Sequence, residues 1–382
     1  MSISRILIFL VVVTAITFGW HYYLWMRLAR DPAWQAPWGT VLRYVITGFG
    51  VAMPLSFLLL RVLPRSLSSP VMWAVYIWMG LAFVLLFVAL PLELPRWLLA
   101  RSADADPSRR IAIARGFAAI VGVVGGGLAV TGLGSVLSKV AVAKVRVPLA
   151  KLPKELAGYT IVQITDVHVG PTIGKEFIEQ LVGTINAEQP DMVVITGDLV
   201  DGSVADLGAM VTPLRDLRAK DGVFFVTGNH EYYSGVTEWL AFLATLGIRV
   251  LRNERIPIRG GAFDLAGVDD HSAKGFGHGH GTDLAKALAD RDPARALVLL
   301  AHQPKTILDA VAYGIDLQLS GHTHGGQIWP WGYAVKLDQP HVAGLSQHGD
   351  ATIYVSRGTG YWGPPMRVGA PAEITRIELH PA

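Results

Sequence analysis

The chain changes its hydrophobic rhythm once. Over the first 140 residues apolar positions come in long unbroken runs; from Tyr159 onward they come in short blocks separated by turns. Four runs stand out, at 6–26, 44–60, 71–92 and 117–138. Each is near the roughly 17–25 residues that a helix needs to cross a bilayer. Trp20, Tyr22, Tyr23 and Trp25 crowd the end of the first, where an interfacial aromatic belt would lie. The second run is short and holds Pro54. Residues 1–140 are therefore expected to form an all-α transmembrane anchor of about four helices, with residues 141–158 as a basic linker.

From 159 to 382 the pattern is that of a separate domain. Strands are expected at 159–164, 192–195 and 223–226, alternating with helices at 175–188 and 204–220. Such alternation implies parallel pairing, with ligands gathered at the carboxyl ends of the strands. After Ile248 the blocks shorten, at 249–252, 256–259 and 263–268, which suggests a second, more antiparallel sheet. Blocks at 296–300, 315–319, 353–355 and 373–379 complete the strands.

Composition adds two exclusions. The 382 residues contain no cysteine, which rules out disulfides, Cys-ligated zinc and a thiol nucleophile. The only ionisable side chain inside an apolar run is His21, near an end, so an ion or proton pathway lacks the buried charge it would need. Anchoring is the simpler role for the four runs.

Arginine placement bears on orientation. Arg27, Arg30 and Arg43 follow the first run, and Arg96, Arg101, Arg109, Arg110 and Arg115 follow the third, against Arg5, Arg61 and Arg65 on the other side. The positive-inside rule then puts the first and third loops in the cytoplasm and the C-terminal domain outside. Lys139, Lys144, Arg146, Lys151 and Lys154 would level the count if included. Ser108-Arg109-Arg110 before a glycine-rich run is similar to a twin-arginine export signal, and Ala141-Val142-Ala143 offers a small-residue cleavage pattern.

The candidate chemistry lies at the strand ends. Asp166-Val167-His168 closes the first strand, Gly197-Asp198 the second, Gly228-Asn229-His230-Glu231 the third, His302 the block at 296–300, and Gly321-His322-Thr323-His324 the block at 315–319. In an extended chain residues two apart share a side, so His322 and His324 are expected to face one pocket. Seven groups (Asp166, His168, Asp198, Asn229, His302, His322 and His324) exceed the needs of one ion but suit two that share a carboxylate, with Asp198 the natural bridge. Imidazole with carboxylate and amide oxygen suits Mn, Fe or Zn. Two such ions clamp a phosphoryl group and lower the pKa of a water.

These five motifs in this order resemble the calcineurin-like metallophosphoesterases, over roughly Tyr159 to the C-terminus. The preceding spans make the whole chain similar to a membrane-anchored subgroup of that family. The resemblance implies a four-layer α/β/β/α metallophosphoesterase domain that hydrolyses a phosphoester or pyrophosphate bond with two divalent metal ions. It assigns Asp166, His168, Asp198 and His324 to one ion, and Asp198, Asn229, His302 and His322 to the other. It makes His230 a non-ligand that protonates the leaving oxygen or binds a phosphate oxygen. Asp201 and Glu231 become candidates for orienting histidines. The expected substrate is a small-molecule or lipid-linked phosphoester at the cell membrane, with no nucleic acid. UDP-2,3-diacylglucosamine is cleaved by relatives in this subgroup, although an exported domain disfavours a lipid made on the cytoplasmic face. A metal-containing cell-envelope binding protein without significant turnover is the alternative; the unligated His230 argues against it.

Three features outside the core motifs carry less. His271, His278 and His280 lie in a loop that reads first as a flexible rim, and Arg367 is as well suited to solvent as to phosphate. Trp329, Trp331 and Tyr333 suit either acyl chains or simple packing. Gly358-Thr359-Gly360-Tyr361-Trp362-Gly363 spells a dinucleotide fingerprint, but Pro364 and Pro365 follow where a helix N-terminus would have to hold the pyrophosphate. It reads as a turn-rich rim of the pocket.

Overall fold

The computed structural model describes residues 3–62, 65–101 and 106–382. They divide into two compact units, one of Met1–Gly134 with Gly363–Val368, the other of Ser135–Trp362 with Gly369–Ala382. Residues 1–2, 63–64 and 102–105 of the expected anchor lie outside the described residues.

In the first unit, helices α1 (Ile3–Leu24), α2 (Trp38–Val62), α3 (Arg65–Arg101) and α4 (Pro107–Leu137) cover the four apolar runs. Among the described residues, Leu67–Arg101 and Pro107–Leu137 are long and apolar enough to cross a membrane by length and composition. Ile46, Val75, Trp78, Leu85, Phe117 and Val121 form the shared core of these helices. Val123 and Val130 of α4 are instead 76% and 72% exposed, an apolar surface of the kind that hydrocarbon covers. His21 is buried, with Nδ1 2.7 Å from the Thr17 carbonyl and Nε2 2.9 Å from Trp78 Nε1. The indole nitrogen only donates, so His21 Nε2 accepts and Nδ1 carries the proton. His21 thus packs between helices with both ring nitrogens bonded. Arg27 and Arg96, counted above for orientation, both pair with Glu93, at 2.6 and 2.8 Å.

The second unit is built on two six-stranded sheets. The first contains β1 (Ala141–Leu149), β12 (Glu373–Pro381), β2 (Tyr159–Ile164), β3 (Met192–Ile195), β4 (Val223–Phe225) and β5 (Arg249–Val250), in that order. The second is ordered β10 (Gly344–His348), β11 (Ala351–Val355), β9 (Leu317–Ser320), β8 (Ala296–Leu300), β7 (Phe263–Gly267), β6 (Glu254–Ile258). Period-two alternation sorts the side chains. Val162, Ile164, Val193, Ile195 and Phe225 face α5 (Lys175–Ala187), α6 (Val204–Val211) and α8 (Val236–Thr245). Ile161, Met192, Val194 and Phe224 face inward and meet Leu265, Val298, Leu300 and Leu319 of the second sheet. Leu297, Leu299, Ile353 and Val355 point the other way, onto α9 (Leu284–Ala287) and α10 (Ile307–Ala310). The result is the four-layer α/β/β/α arrangement. Because the central strands are covered on both faces, they read in the sequence as continuous apolar runs.

Several local expectations change. Residues 141–149 are not linker: β1 pairs in parallel with β12 along its whole length, from Ala141–Glu373 to Leu149–Pro381. Only alternate side chains of β1, such as Val147 and Leu149, reach the core, while lysine and arginine decorate the other face. That mixture reads as a basic linker until a partner strand is known. The second sheet is the more antiparallel of the two, as expected, with β6–β7 and β10–β11 antiparallel against β12–β2 in the first. Its β7–β8, β8–β9 and β9–β11 pairs, however, run parallel. β5 and β12 join the first sheet. The helix at 204–220 ends at Val211 and gives way to a 3-10 segment at Thr212–Asp216, where Pro213 cannot donate to a continuing helix. Two further helices, α7 (Asn229–Ser234) and α8, follow β4 without having been expected.

Candidate metal centre

The candidate ligands occupy the turns that leave β2, β3, β4, β8 and β9 at their carboxyl ends. Cross-sheet hydrogen bonds hold these ends together. Gln163 Nε2 donates to the Ser320 carbonyl at 3.0 Å, His302 Nδ1 lies 2.8 Å from the Thr196 carbonyl, and the His322 amide donates to Asp166 Oδ1 at 2.9 Å.

The backbone at these positions is unusual. Asp166, His168, Asp198, His322 and His324 all have φ between 51° and 71°. Left-handed conformations in non-glycine residues cost about 1–3 kcal/mol each and persist where surrounding bonds over-determine them. Here the Asp166 amide donates to the Gly197 carbonyl at 3.0 Å, and the His168 amide to the Asp198 carbonyl at 3.2 Å. The expectation that His322 and His324 share a side because the chain is extended is therefore corrected. Both lie in a bend, and each serves a different cluster.

One cluster joins Asp166, His168 and His324; another joins Asp198, His302 and His322; within each, the ligand atoms lie within 4.8 Å of one another. His168, Asp198 and His230 make a third such group between them. Asp198 is central, with Oδ2 3.1 Å from His302 Nε2 and 3.9 Å from His168 Nε2. Asn229 begins α7, and its Oδ1 is buried and meets no hydrogen-bond donor.

The donor atoms fit cations. His302 Nδ1 is committed to a carbonyl, so it carries the proton and Nε2 presents a lone pair. That nitrogen faces His322 Nδ1 at 3.2 Å and Asp198. His168 Nδ1 is likewise committed, to Asp201 Oδ1 at 3.0 Å, and its Nε2 faces His324 Nε2 at 3.1 Å. Two imidazole nitrogens converging at this distance repel unless a proton or a metal ion lies between them. Together with the orphaned Asn229 oxygen, these atoms make a candidate donor set for metal ions, with backbone and carboxylate partners orienting the rings.

Asp166, Asp198, Glu231 and Asp270 are all essentially buried near this point. Burial opposes charge on His302, but the Asp198 carboxylate outweighs it and holds the imidazole pKa well above its ordinary value, so a cation at this point displaces a proton from Nε2. Burial and the neighbouring His302 push His322 down to about 3, so it stays neutral, the form that ligates metal. Burial also opposes charge on His230, but Asp198 and Asp201 raise its pKa to about 9.

His230 Nδ1 lies 2.6 Å from Asp201 Oδ1, the same oxygen that holds His168. Asp201 thus orients two histidines, as expected of it. Glu231 does not. Its carboxylate accepts the amides of Gly228 at 2.7 Å, Leu199 at 2.8 Å and Asp198 at 3.0 Å, and so braces two turns against each other. Burial and the charge of Asp198 raise its pKa to about 7.

Two glycines are required by close approach. A Cβ on Gly228 would overlap the Asp198 carboxylate, and one on Gly321 would overlap the Asp166 carboxylate and the Thr165 hydroxyl.

Of the other sequence candidates, Arg367 is 2% exposed and groups with the helical unit, where its amide donates to the Gly132 carbonyl at 3.1 Å. The Gly358–Gly363 segment forms no helix. The amides of Thr359 and Gly360 bond to the carbonyls of Thr165 and Asp166 at 2.8 and 3.0 Å, which makes it a wall of the site. Asp270, Gln303 and Tyr233 had no motif to single them out, and Trp362 lies in the glycine-rich segment read as a rim. Gln303 follows His302 directly, and its Nε2 donates to Asp270 Oδ2 at 3.0 Å. The rings of Tyr233 and Trp362 lie 5.4 and 5.7 Å from that of His230.

Residues 159–326 match the family model described as calcineurin-like phosphoesterase. A Bos taurus transmembrane protein with metallophosphoesterase domain is 41% identical over 304 residues, covering 76% of this chain and 68% of the relative. An uncharacterised metallophosphoesterase of Helicobacter pylori is 44% identical over 235 residues, covering 61% of this chain and 62% of the relative. Another from Campylobacter jejuni is 41% identical over 240 residues, covering 62% and 63%. The chain thus spans roughly two thirds of the length of these relatives. With its four layers, its two histidine–carboxylate clusters and these matches, the chain belongs to the calcineurin-like metallophosphoesterases, a family of metal-dependent phosphoester hydrolases.

Proposed function

We propose that this chain is a membrane-anchored, two-metal hydrolase of phosphoester or pyrophosphate bonds acting on an amphiphilic, lipid-linked substrate. A UDP-2,3-diacylglucosamine-type pyrophosphate is one such compound. The observation that carries the reading is the pair of clusters meeting at Asp198. Asp166, His168, Asp198 and His324 would hold one ion; Asp198, Asn229, His302 and His322 the other. Bound there, Mn, Fe or Zn supplies Lewis acidity and an acidified water.

The chain's own residues do the rest. Asp201 fixes His168 and His230 by their Nδ1 atoms. That leaves His230 Nε2 to donate to the leaving oxygen, which is the general-acid role. Glu231 holds the turns that carry Asp198 and Asn229. The apolar helices support the amphiphilic reading, because they keep the domain beside lipid.

The test is hydrolysis of bis(p-nitrophenyl) phosphate alongside metal analysis. Asp198→Ala and His322→Ala are expected to abolish turnover and to lower bound metal below two ions per chain. Full metal content with full activity in either variant would end the two-metal assignment. Two metals without turnover of any phosphoester in the unaltered protein would favour the binding-protein alternative.

A further inference from the structure

Three large aromatic side chains stand in the open here, two beside His230 and the third against one of those two. Tyr233, Trp362 and Phe276 are 63%, 55% and 45% exposed. The Tyr233 and Trp362 rings meet that of His230 edge-on, at 73° and 72°, and Phe276 lies 5.6 Å from Tyr233 at 52°. None of them is needed by a hydrophobic core, and together they leave an apolar surface in water beside a polar centre.

Each ring is held there. Tyr233 lies on α7, three residues after His230. Trp362 is clamped through its backbone: its amide donates to Gln327 Oε1 and its carbonyl accepts from Gln327 Nε2, both at 2.9 Å. Phe276 ends a 3-10 segment in the histidine-rich loop. Arg252 pins that loop, pairing with both oxygens of Asp269 at 2.9 and 2.6 Å and donating to His280 Nδ1 at 3.0 Å. An arginine only donates, so His280 Nδ1 is used as an acceptor inside the loop. The loop therefore delivers a phenyl ring to the site, and His280 is part of its framework.

We propose that Tyr233, Phe276 and Trp362 form a rim that binds the leaving group of the substrate, and that this leaving group carries a flexible hydrocarbon chain. The inference rests on the hydrolase reading above. Its position follows from His230: the oxygen that receives a proton from Nε2 is the one that departs, so the group bound beside His230 is the leaving alcohol. Its chemistry follows from the ring angles. A flat base is held best between parallel rings, whereas the Tyr233 and Phe276 planes are tilted by 52° and line a surface that a bending chain can follow. In the reaction water adds to phosphorus and the P–O bond to the chain-bearing alcohol breaks. The alcohol leaves with the His230 proton, and the proton lost by water restores the imidazolium.

Methyl decyl phosphate tests this, because its two ester bonds compete within one molecule. With the metal-loaded full chain and substrate below its aggregation concentration, decanol is expected over methanol by at least about tenfold. Burial of roughly two methylene groups gives a factor of that size. Trp362→Ala and, independently, Phe276→Ala should each reduce the preference severalfold while two metals remain bound. Equal release of the two alcohols, preferential release of methanol, or a preference unchanged in both variants overturns the rim. So does failure to cleave this diester by protein that cleaves bis(p-nitrophenyl) phosphate. If neither compound is cleaved, the hydrolase reading itself fails and the rim goes with it.

Discussion

His230 is the residue on which chemistry and mere binding part. It lies within ligand distance of His168 and Asp198, yet its Nδ1 is bonded to Asp201 at 2.6 Å, which leaves one ring nitrogen for work. If that nitrogen serves the leaving oxygen, it acts on charge that develops only in the transition state, and such contacts change turnover more than affinity. His230→Asn keeps a polar group of similar reach but no acid. It is expected to retain two metals and to lose about 10²–10⁴-fold in kcat on an alkyl ester, with a smaller loss on a p-nitrophenyl ester. Loss of metal in this variant would make His230 a ligand; wild-type turnover on the alkyl ester would remove its role. The backbone at this scale carries its own information. The five ligands with left-handed φ hold strain that is tolerated because amides and carbonyls of adjoining turns fix them on every side.

Strands β2 and β3 must keep register if Asp166, His168 and Asp198 are to meet. Asp191, one residue before β3, sets that register at its start. Its carboxylate accepts the amide and hydroxyl of Thr160 at 2.9 and 3.0 Å, and Lys220 donates to it at 2.8 Å. Burial opposes its charge, but Lys220 and Thr160 prevail and hold its pKa below the ordinary carboxylate range. A depressed folded pKa stabilises above the unfolded value of about 3.9 and loses that effect as pH falls through the folded value. Asp191→Asn is therefore expected to cost about 1–3 kcal/mol at neutral pH in chemical denaturation. The gap from the unaltered protein should narrow below about pH 4. A gap that widens on acidification would contradict the assignment. Element scale is also where β1 matters. Its nine residues extend the first sheet, and the Ala141-Val142-Ala143 pattern lies inside the ladder, paired with Glu373–Thr375.

For the molecule as a whole, the open question is which side of the membrane holds the metal centre. We propose, from arginine placement, that the C-terminal domain lies outside the cytoplasm, although two of those arginines are paired with Glu93. An alkaline phosphatase fusion after Ala382 is expected to be active in cells. An inactive fusion beside a fluorescent cytoplasmic reporter would reverse the orientation and favour a substrate made on the cytoplasmic face.

The sequence by itself determined the apolar helices, the alternating domain and the strand-end residues of the candidate site. Those features depend on local chemistry: unbroken apolar runs, period-two burial, and side chains that bind cations at fixed spacings. What it left undecided depends on partners far away in the chain. Strand β1 looks like linker until β12, more than two hundred residues later, supplies its hydrogen bonds. The separation of His322 and His324 into different clusters was implied by the family resemblance, but the bend that produces it, held by Asp166 of the other sheet, is encoded by no periodicity. The rim is the same case: Tyr233, Phe276 and Trp362 come from three distant segments, and only the packed turns bring their rings together beside His230.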